Sequence, residues 1–396
     1  MTKKTIKAPT RTMKPKQVRT SSTAPSDAAT VFRRDRLTLA RKEGWKALAE
    51  AAPRTQPEPH TGTQLAALSA SARAEYDEAR KQWHANLTLK TPQLARVHDD
   101  IWEIVDTNRQ DGDRVKGAPV IDAFPGLGKT TAATAFGRQL HRDRIALVGQ
   151  RTADGHEHIP VCRIGLTANT TMKSLQQGFL EFYGHPRKSG NTDQLSSAAL
   201  DCVLSCDTSL VVIDDVHFLD MSRRDGLTVT HHLKSLANDF PVTFLFVGVG
   251  LRERGLFCEG MTAADAAFAQ TGRRWTRLTM EPFEIRTAKG RKEWRTMLLG
   301  LERLLVLADK QPGMLADELS DYLFARTTGH IGSLMDLINR GSGRAIRTGE
   351  ERLTTELLDR VKIDEAAENA RRELDAAMAA GRLSSHRAVR SRGRKP

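Results

Sequence analysis

The segment from Asp122 to Thr131, DAFPGLGKTT, constrains the fold more than any other part of the chain. It follows an apolar run, Ala118 to Ile121, and precedes a stretch with helical apolar spacing from Thr131 to Leu140. This order predicts a strand, a glycine-containing turn and a helix, an arrangement whose backbone N–H groups bind nucleotide phosphates. The pattern G-x-x-x-x-G-K-[ST] is met except at its first position, where Ala123 replaces glycine. The alternative is an ordinary strand-turn-helix with an incidental lysine.

This phosphate loop implies ATP and Mg²⁺ as cofactors. Lys129 is predicted to contact the β- and γ-phosphates, and the Thr130 hydroxyl is predicted to ligate Mg²⁺. The residues predicted to bind the cofactor are Pro125, Gly126, Leu127, Gly128, Lys129, Thr130 and Thr131.

A second signature is a run of four apolar residues, Leu210 to Ile213, that ends in Asp214 and Asp215. Burying ionised carboxylates is costly unless a cation or hydrogen bonds compensate, and Mg²⁺ is the expected cation. Asp214 is predicted to hold the water shell of the metal, and Asp215 to polarise the attacking water. Because Asp215 is one methylene shorter than the glutamate common at this position, slow hydrolysis is expected. A strand that simply exits into an acidic turn is the alternative.

Predicted strands and helices alternate through the middle of the chain, which is typical of an α/β fold with a mostly parallel sheet. The strands are predicted at Ala118–Ala123, Ile159–Leu166, Leu210–Asp214, Val242–Val247 and Trp275–Met280. Helices alone are predicted after Pro282, including one from Thr354 to Ala379. The domains expected are a basic disordered tail (1–26), an N-terminal helical extension (27–95), a nucleotide-binding core (96–281), a helical lid (282–380) and a second basic disordered tail (381–396).

The formal net charge of +13 belongs to the two tails, since residues 1–26 hold seven Lys or Arg, residues 382–396 hold six, and neither range contains an acid. Disorder is the simplest interpretation of each tail, but two basic ends around a nucleotide-binding body favour contact with a polyanion. The first twenty residues lack the apolar segment of a signal peptide, and the longest apolar run is too short to span a bilayer. A cytoplasmic protein without membrane contact is therefore expected, with its four cysteines as reduced structural thiols.

A helical stretch is predicted in the extension from about Ala66 to His84, and aromatic and cationic residues recur along one face of it, at Arg73, Tyr76, Arg80 and Trp83. Such a face fits either a partner or nucleic acid, or packing within the protein.

Several segments together resemble the AAA+ ATPases of the TniB, TnsC and MuB group, which regulate DDE-type transposases. The resemblance covers roughly residues 70 to 365. Its segments are the phosphate loop, Ile159–Ile164 with Thr167 and Lys173–Leu175, Asp214–His217, Pro241–Gly250 and Gly329–Gly332. It implies ATP-dependent homo-oligomers, as rings or helical filaments, on double-stranded DNA, and a separately encoded DDE-type transposase as partner.

The resemblance also implies roles for individual residues. Arg273 or Arg274 corresponds to an arginine finger that reaches the ATP of a neighbouring subunit, although a solvated basic turn is the alternative. Thr167, Asn169, Thr171 and Lys173 correspond to a DNA-backbone contact, although an ordinary helix cap explains Thr171 equally well. The chain departs from the pattern after the fourth strand, where Gly248–Gly250 offers only backbone, and at Ser333, where an arginine is common. Both departures weaken the expectation of rapid hydrolysis.

Two other functions stay open on the sequence alone. One is a helicase loader or replication-initiator-like AAA+ ATPase, which shares the nucleotide switch but acts on a different protein partner. The other is a P-loop signalling or defence ATPase that does not bind DNA.

Overall fold

A parallel five-stranded sheet lies at the centre of the structure. The computed structural model describes residues 37–110, 116–168, 170–187, 189–219, 233, 236–253 and 275–386. The strands in these ranges are β1 (Ala118–Asp122), β2 (Val161–Gly165), β3 (Leu210–Asp214), β4 (Thr243–Gly248) and β5 (Trp275–Thr279). Their spatial order is β2-β3-β4-β1-β5, with every neighbouring pair parallel. β1, β3 and β4 are buried along their whole length, as expected for apolar runs in a covered sheet. The predicted α/β class is confirmed.

Helices surround this sheet and continue beyond it. Before β1 lie α1 (Lys42–Ala49), α2 (Gly62–Ala67), α3 (Ala70–Ala85) and α4 (Pro92–Thr107). Between the strands lie α5 (Lys129–Val148), α6 (Met172–Tyr183) and α7 (Thr192–Ser205). After β5 come α8 (Ala288–Leu304), a π-helical turn (Met314–Glu318), α9 (Ser320–Thr327), α10 (Ile331–Thr348), α11 (Thr355–Asp359) and α12 (Glu365–Ala379). None of the helices in the described ranges is long and apolar enough to cross a membrane.

The strand order places the phosphate loop at a switch point of the sheet. β1 pairs with β4 on one side and with β5 on the other. The chain leaves β1 toward the edge strand β2, whereas it leaves β4 toward the opposite edge strand, β5, so the direction of the connections reverses beside β1. In open parallel sheets ligands bind at the carboxyl ends of the strands at such a point. The loop after β1 and the acids at the carboxyl end of β3 therefore meet at one edge of the sheet.

Two hydrophobic clusters divide the described chain after β5. One surrounds the sheet and reaches Met280, and the other begins at Phe283 and continues through the C-terminal helices to Val361. Residues 382–386, which the sequence assigns to the C-terminal tail, pack on the second cluster. Ser385 is buried there, and its backbone N–H donates to Asp321 Oδ1 over 2.6 Å.

Two predicted helices are interrupted in the structure. The helical stretch expected from Ala66 to His84 breaks before Ser69, because the Ser69 hydroxyl accepts the Ala72 N–H and starts α3. The helix expected from Thr354 to Ala379 breaks between α11 and α12, where the Asp364 carboxylate accepts the Ala367 N–H. Both interruptions are helix caps that compete with continuation of the helix.

The N-terminal extension contacts both the core and the lid. Trp45 of α1 is fully buried against α5, and its Nε1–H donates to His141 Nδ1 over 3.3 Å. Helix α3 packs instead on the lid, where Arg80, 1% exposed, donates to both carboxylate oxygens of Glu351 over 2.6 and 2.9 Å. Trp83 Nε1–H donates to the Leu304 carbonyl over 2.7 Å. Packing within the protein therefore accounts for the aromatic and cationic face of α3.

A buried histidine at the end of α3 makes this lid contact sensitive to pH. His84 Nε2 accepts the Val306 N–H over 3.0 Å, and burial lowers the pKa of His84 to about 4. The unfolded chain binds a proton near pH 6.5, so the stabilising contribution is complete above pH 6.5 and is lost as the pH falls toward 4.

We expect the free energy of unfolding contributed through His84 to fall by about 2 kcal/mol between pH 7 and pH 5. Urea unfolding of wild type and His84→Gln at both pH values measures this difference, because glutamine retains an acceptor without titrating. His156→Gln, at an exposed loop histidine, is the control. An equal pH dependence in wild type and His84→Gln would contradict the assignment.

Candidate nucleotide-binding site

The phosphate loop joins β1 to α5 through two glycines in the left-handed region. Gly126 has φ 76° and Gly128, the N-cap of α5, has φ 83°. These conformations favour glycine and let successive backbone N–H groups face one concave side. Ala123 is not among the residues with positive φ, and its N–H donates to the Gly248 carbonyl over 3.3 Å. A glycine is therefore not required at the position where the chain departs from the pattern.

Lys129 lies at the start of α5 and is 9% exposed. Burial lowers the pKa of its ammonium group, and Asp215, Asp214 and Asp122 partly oppose that shift by attraction. A desolvated ammonium group beside the backbone N–H groups of the glycine turn is suited to bind phosphate oxygens. The remaining loop residues predicted to bind the cofactor, Pro125, Leu127 and Thr131, lie in the same turn, where Leu127 is buried and Pro125 and Thr131 are exposed.

The acid pair Asp214 and Asp215, at the carboxyl end of β3, lies directly beside this loop. Asp214 is 2% exposed, and its Oδ1 accepts the Thr130 hydroxyl over 3.3 Å and the Asp215 N–H over 3.0 Å. Asp215 has a left-handed backbone, φ 59°, and a carboxylate that is 40% exposed. Asp214 therefore faces Thr130, whereas Asp215 faces solvent near Lys129.

The donor set at Thr130 and Asp214 fits a magnesium ion. Both side chains offer oxygen, the ligand type that Mg²⁺ prefers, and Mg²⁺ commonly binds through one or two protein ligands plus substrate phosphates. Within the described ranges no group of three or more His, Cys, Asp or Glu side chains is arranged to hold a metal by itself. The fit therefore depends on phosphate oxygens as the remaining ligands.

The lid contacts the phosphate loop through the start of α10. Gly332 N–H donates to the Gly126 carbonyl over 2.8 Å, and a Cβ at Gly332 would lie only 2.8 Å from that same oxygen. His330 lies beside Gly126, and its Nδ1 is 2.7 Å from the Thr328 hydroxyl. Ser333, which stands where the resemblance implies an arginine, donates to Asp364 Oδ2 over 2.6 Å.

A pocket of about 230 Å³ lies between the phosphate loop, the lid and the segment after α3. Its wall is mostly apolar and is formed by Leu87, Thr88, Leu89, Thr91, Leu94, Leu127, Gly128, Thr131, Met280, Ile331, Gly332, Met335 and Asp336. An apolar pocket that adjoins a phosphate cradle is suited to a nucleoside base.

The structure adds three site residues that the sequence did not identify: Asp122, Arg277 and Arg163. Asp122, at the end of β1, accepts the Arg277 Nε–H over 2.9 Å and the Leu251 N–H over 3.0 Å. It thereby holds the turn after β4, where Gly248–Gly250 offers only backbone. Arg163 of β2 donates to Asp214 Oδ2 over 2.7 Å. A charged residue within the otherwise apolar strand β2 was the available signal for Arg163.

The described candidate DNA-contact residues lie in the segment after β2 and in the first turn of α6. Thr167, Thr171 and Lys173 are exposed, and Thr171 also caps α6 by accepting the Ser174 N–H over 3.2 Å. The helix-cap alternative therefore describes Thr171 in this structure, without removing it from the surface. Asn169, Arg273 and Arg274 lie outside the described residues.

One comparison with protein families gives a match over this core. The model of a family described as an AAA domain matches residues 113–255. No curated protein matches the chain.

Solved structures similar to the chain include Cdc6p from Pyrobaculum aerophilum, at 13% identity and TM-score 0.48, covering 70% of this chain and 69% of that one. Domain III of the replication initiation protein DnaA from Thermotoga maritima is similar at 14% identity and TM-score 0.41, covering 69% and 95%. Drosophila ORC bound to DNA is similar at 14% identity and TM-score 0.42, covering 84% of this chain and 54% of that one.

Proposed function

We propose that the chain is an ATP- and Mg²⁺-dependent switch that oligomerises on double-stranded DNA and recruits or activates a DDE-type transposase. Slow ATP hydrolysis resets the switch. The observation that carries the nucleotide part is the grouping of buried Lys129 with Asp214 and Asp215 beside the glycine turn, where Thr130 is 3.3 Å from Asp214.

Each residue of this group has a separate part in the proposal. Lys129 and the loop N–H groups bind the phosphates, and Thr130 and Asp214 hold Mg²⁺ with its water shell. Bound Mg²⁺ supplies positive charge that offsets the charge developing on the phosphates. Asp215, whose carboxylate reaches solvent, orients and polarises the attacking water.

Two observations support slow turnover. The N–H groups of Leu251 and Arg252, after β4, donate to Asp122 over 3.0 and 3.4 Å. The Ser333 hydroxyl is engaged by Asp364. In AAA+ proteins these two segments often carry polar contacts to the γ-phosphate. Here the two N–H groups donate to Asp122 and the Ser333 hydroxyl donates to Asp364 instead. Arg273 or Arg274 is proposed as the finger that completes the site of a neighbouring subunit.

Support for DNA and for the transposase comes from sequence. Thr167, Asn169, Thr171 and Lys173 provide hydroxyl, amide and ammonium groups suited to phosphates, and the basic tails add charge. The transposase is proposed from the resemblance of the segments around Asp214–His217 and Gly329–Gly332 to the transposition regulators.

The test is assembly on duplex DNA with a non-hydrolysable ATP analogue, observed by electron microscopy and mass photometry. We compare the full chain with a variant lacking residues 1–26 and 387–396, which leaves the buried Ser385 in place. We expect ATP-dependent assembly to persist at low salt in the truncated chain. The slope of log affinity against log salt should flatten by about 0.9 for each phosphate that the tails neutralise in the full chain.

The outcomes separate the alternatives. Absence of ATP-dependent assembly on DNA in the full chain would favour the signalling or defence ATPase. An unchanged salt slope would exclude the tails as DNA contacts. Assembly on DNA that stimulates helicase loading in a reconstituted reaction, but not strand transfer by a DDE-type transposase, would favour the helicase loader.

A further inference from the structure

Arg163 contacts the carboxylate that is proposed to hold the metal. Its Nη2 donates to Asp214 Oδ2 over 2.7 Å, and the two side chains are 16% and 3% exposed. The other oxygen of the same carboxylate, Oδ1, faces the Thr130 hydroxyl. One oxygen of Asp214 therefore contacts a guanidinium group, and the other lies on the side of the site that is proposed to hold the metal.

Burial makes this contact electrostatically strong. A buried carboxylate requires a compensating positive charge, and arginine stays protonated at all physiological pH values. Lys129 is also attracted to Asp214, but Asp215 attracts it more strongly and the phosphates are its expected ligand. Within the described ranges, Arg163 is thus the cation in direct hydrogen-bond contact with Asp214.

The same position opposes metal binding. A Mg²⁺ ion with its water shell at Oδ1 would lie within a few ångströms of the guanidinium group on Oδ2, and like charges at that separation repel each other. Arg163 Nε is buried without a hydrogen-bond partner among the described residues. At that atom no second acceptor in those residues offsets the positive charge of the guanidinium group.

We propose that Arg163 is a positioning residue that sets the Mg²⁺ affinity of the phosphate site. It neutralises Asp214 in the metal-free protein and lowers the affinity of the site for the metal, so that Mg²⁺ binds well only together with nucleotide phosphates. This inference rests on the proposed nucleotide function and adds to it a defined dependence on free Mg²⁺.

The test measures binding of a fluorescent ATP analogue as free Mg²⁺ is varied, without measuring hydrolysis. In Arg163→Met the Mg²⁺ concentration at half-maximal binding should fall roughly tenfold, because one repelling charge is removed near the metal. Arg163→Lys retains the charge and should stay within about twofold of wild type.

Arg144→Met is the matched control. Arg144 of α5 also pairs with an aspartate, Asp207, with its Nη2 3.8 Å from Asp207 Oδ2, and its loss changes the net charge equally. Asp207 precedes β3 at the amino end of the strand, opposite the end that carries Asp214, so the Mg²⁺ midpoint of Arg144→Met should match wild type.

The possible results are distinguishable. A midpoint in Arg163→Met that equals or exceeds that of wild type overturns the inference, and so does an equal fall in Arg144→Met. Loss of binding by Arg163→Met at saturating Mg²⁺ also overturns it, because Arg163 would then be required to form the site. Failure of wild type to bind the analogue at any Mg²⁺ concentration rejects the proposed function itself.

Discussion

Replacing Lys129 with alanine should reduce ATP affinity by at least about a hundredfold and abolish ATP-dependent assembly, because hydrogen bonds to charged groups contribute roughly 1.5–3 kcal/mol each and this ammonium group is expected to reach two phosphates. The stability of the nucleotide-free protein should fall little or rise. Burial already lowers the pKa of Lys129, so alanine removes a desolvated charge. Equilibrium binding of a fluorescent ATP analogue, with thermal unfolding of the same samples, measures both effects.

Lys116→Ala is the matched control for this variant. Lys116 precedes the amino end of β1, and burial likewise lowers the pKa of its ammonium group, which donates to the Pro241 carbonyl over 2.7 Å. The ammonium groups of both lysines are thus desolvated, but the lysines lie near opposite ends of one strand. ATP affinity should be unchanged in Lys116→Ala, and equal affinity in Lys129→Ala and wild type would remove Lys129 from the phosphate site.

The sheet was predictable because buried parallel strands are continuous apolar runs in sequence. The predicted and observed strands differ by no more than two residues at any end, and Leu210–Asp214 is identical in both. The glycine turn and Lys129–Thr130 were likewise local, since all their chemistry lies within ten residues of chain. Local patterns of this kind survive folding because tertiary contacts reinforce them.

What could not be predicted depends on register between strands. Arg163 and Asp214 meet because β2 and β3 are aligned with Gly165 opposite Asp214, and Asp122 meets Arg277 because Val120 lies opposite Arg277 on β5. Neither alignment can be predicted from the sequence of one strand alone, because it is a property of the pair. The partner of α3 was equally hidden, since the spacing of Arg80 and Trp83 shows a common face but not which surface it covers.

Asp215→Asn should keep ATP, Mg²⁺ and DNA binding while lowering hydrolysis by about 10²–10⁴-fold, the usual contribution of a general base. Asparagine tolerates the left-handed backbone that Asp215 adopts at φ 59°, so the turn should be preserved. Asp214→Asn would not isolate hydrolysis, because Asp214 is proposed to hold Mg²⁺ and also pairs with Arg163. With hydrolysis removed, the ATP-dependent assembly on DNA should persist instead of turning over.

Asp207→Asn separates this effect from a general consequence of the substitution. Asp207 also has a left-handed backbone, φ 48°, and a half-exposed carboxylate, but it precedes β3 at the other end of the strand. Steady-state ATPase rates and the lifetime of DNA-bound assemblies should match wild type in Asp207→Asn and differ in Asp215→Asn. If Asp215→Asn hydrolyses ATP at the wild-type rate, the water is activated elsewhere, and the acid pair at the carboxyl end of β3 serves the metal through Asp214 alone.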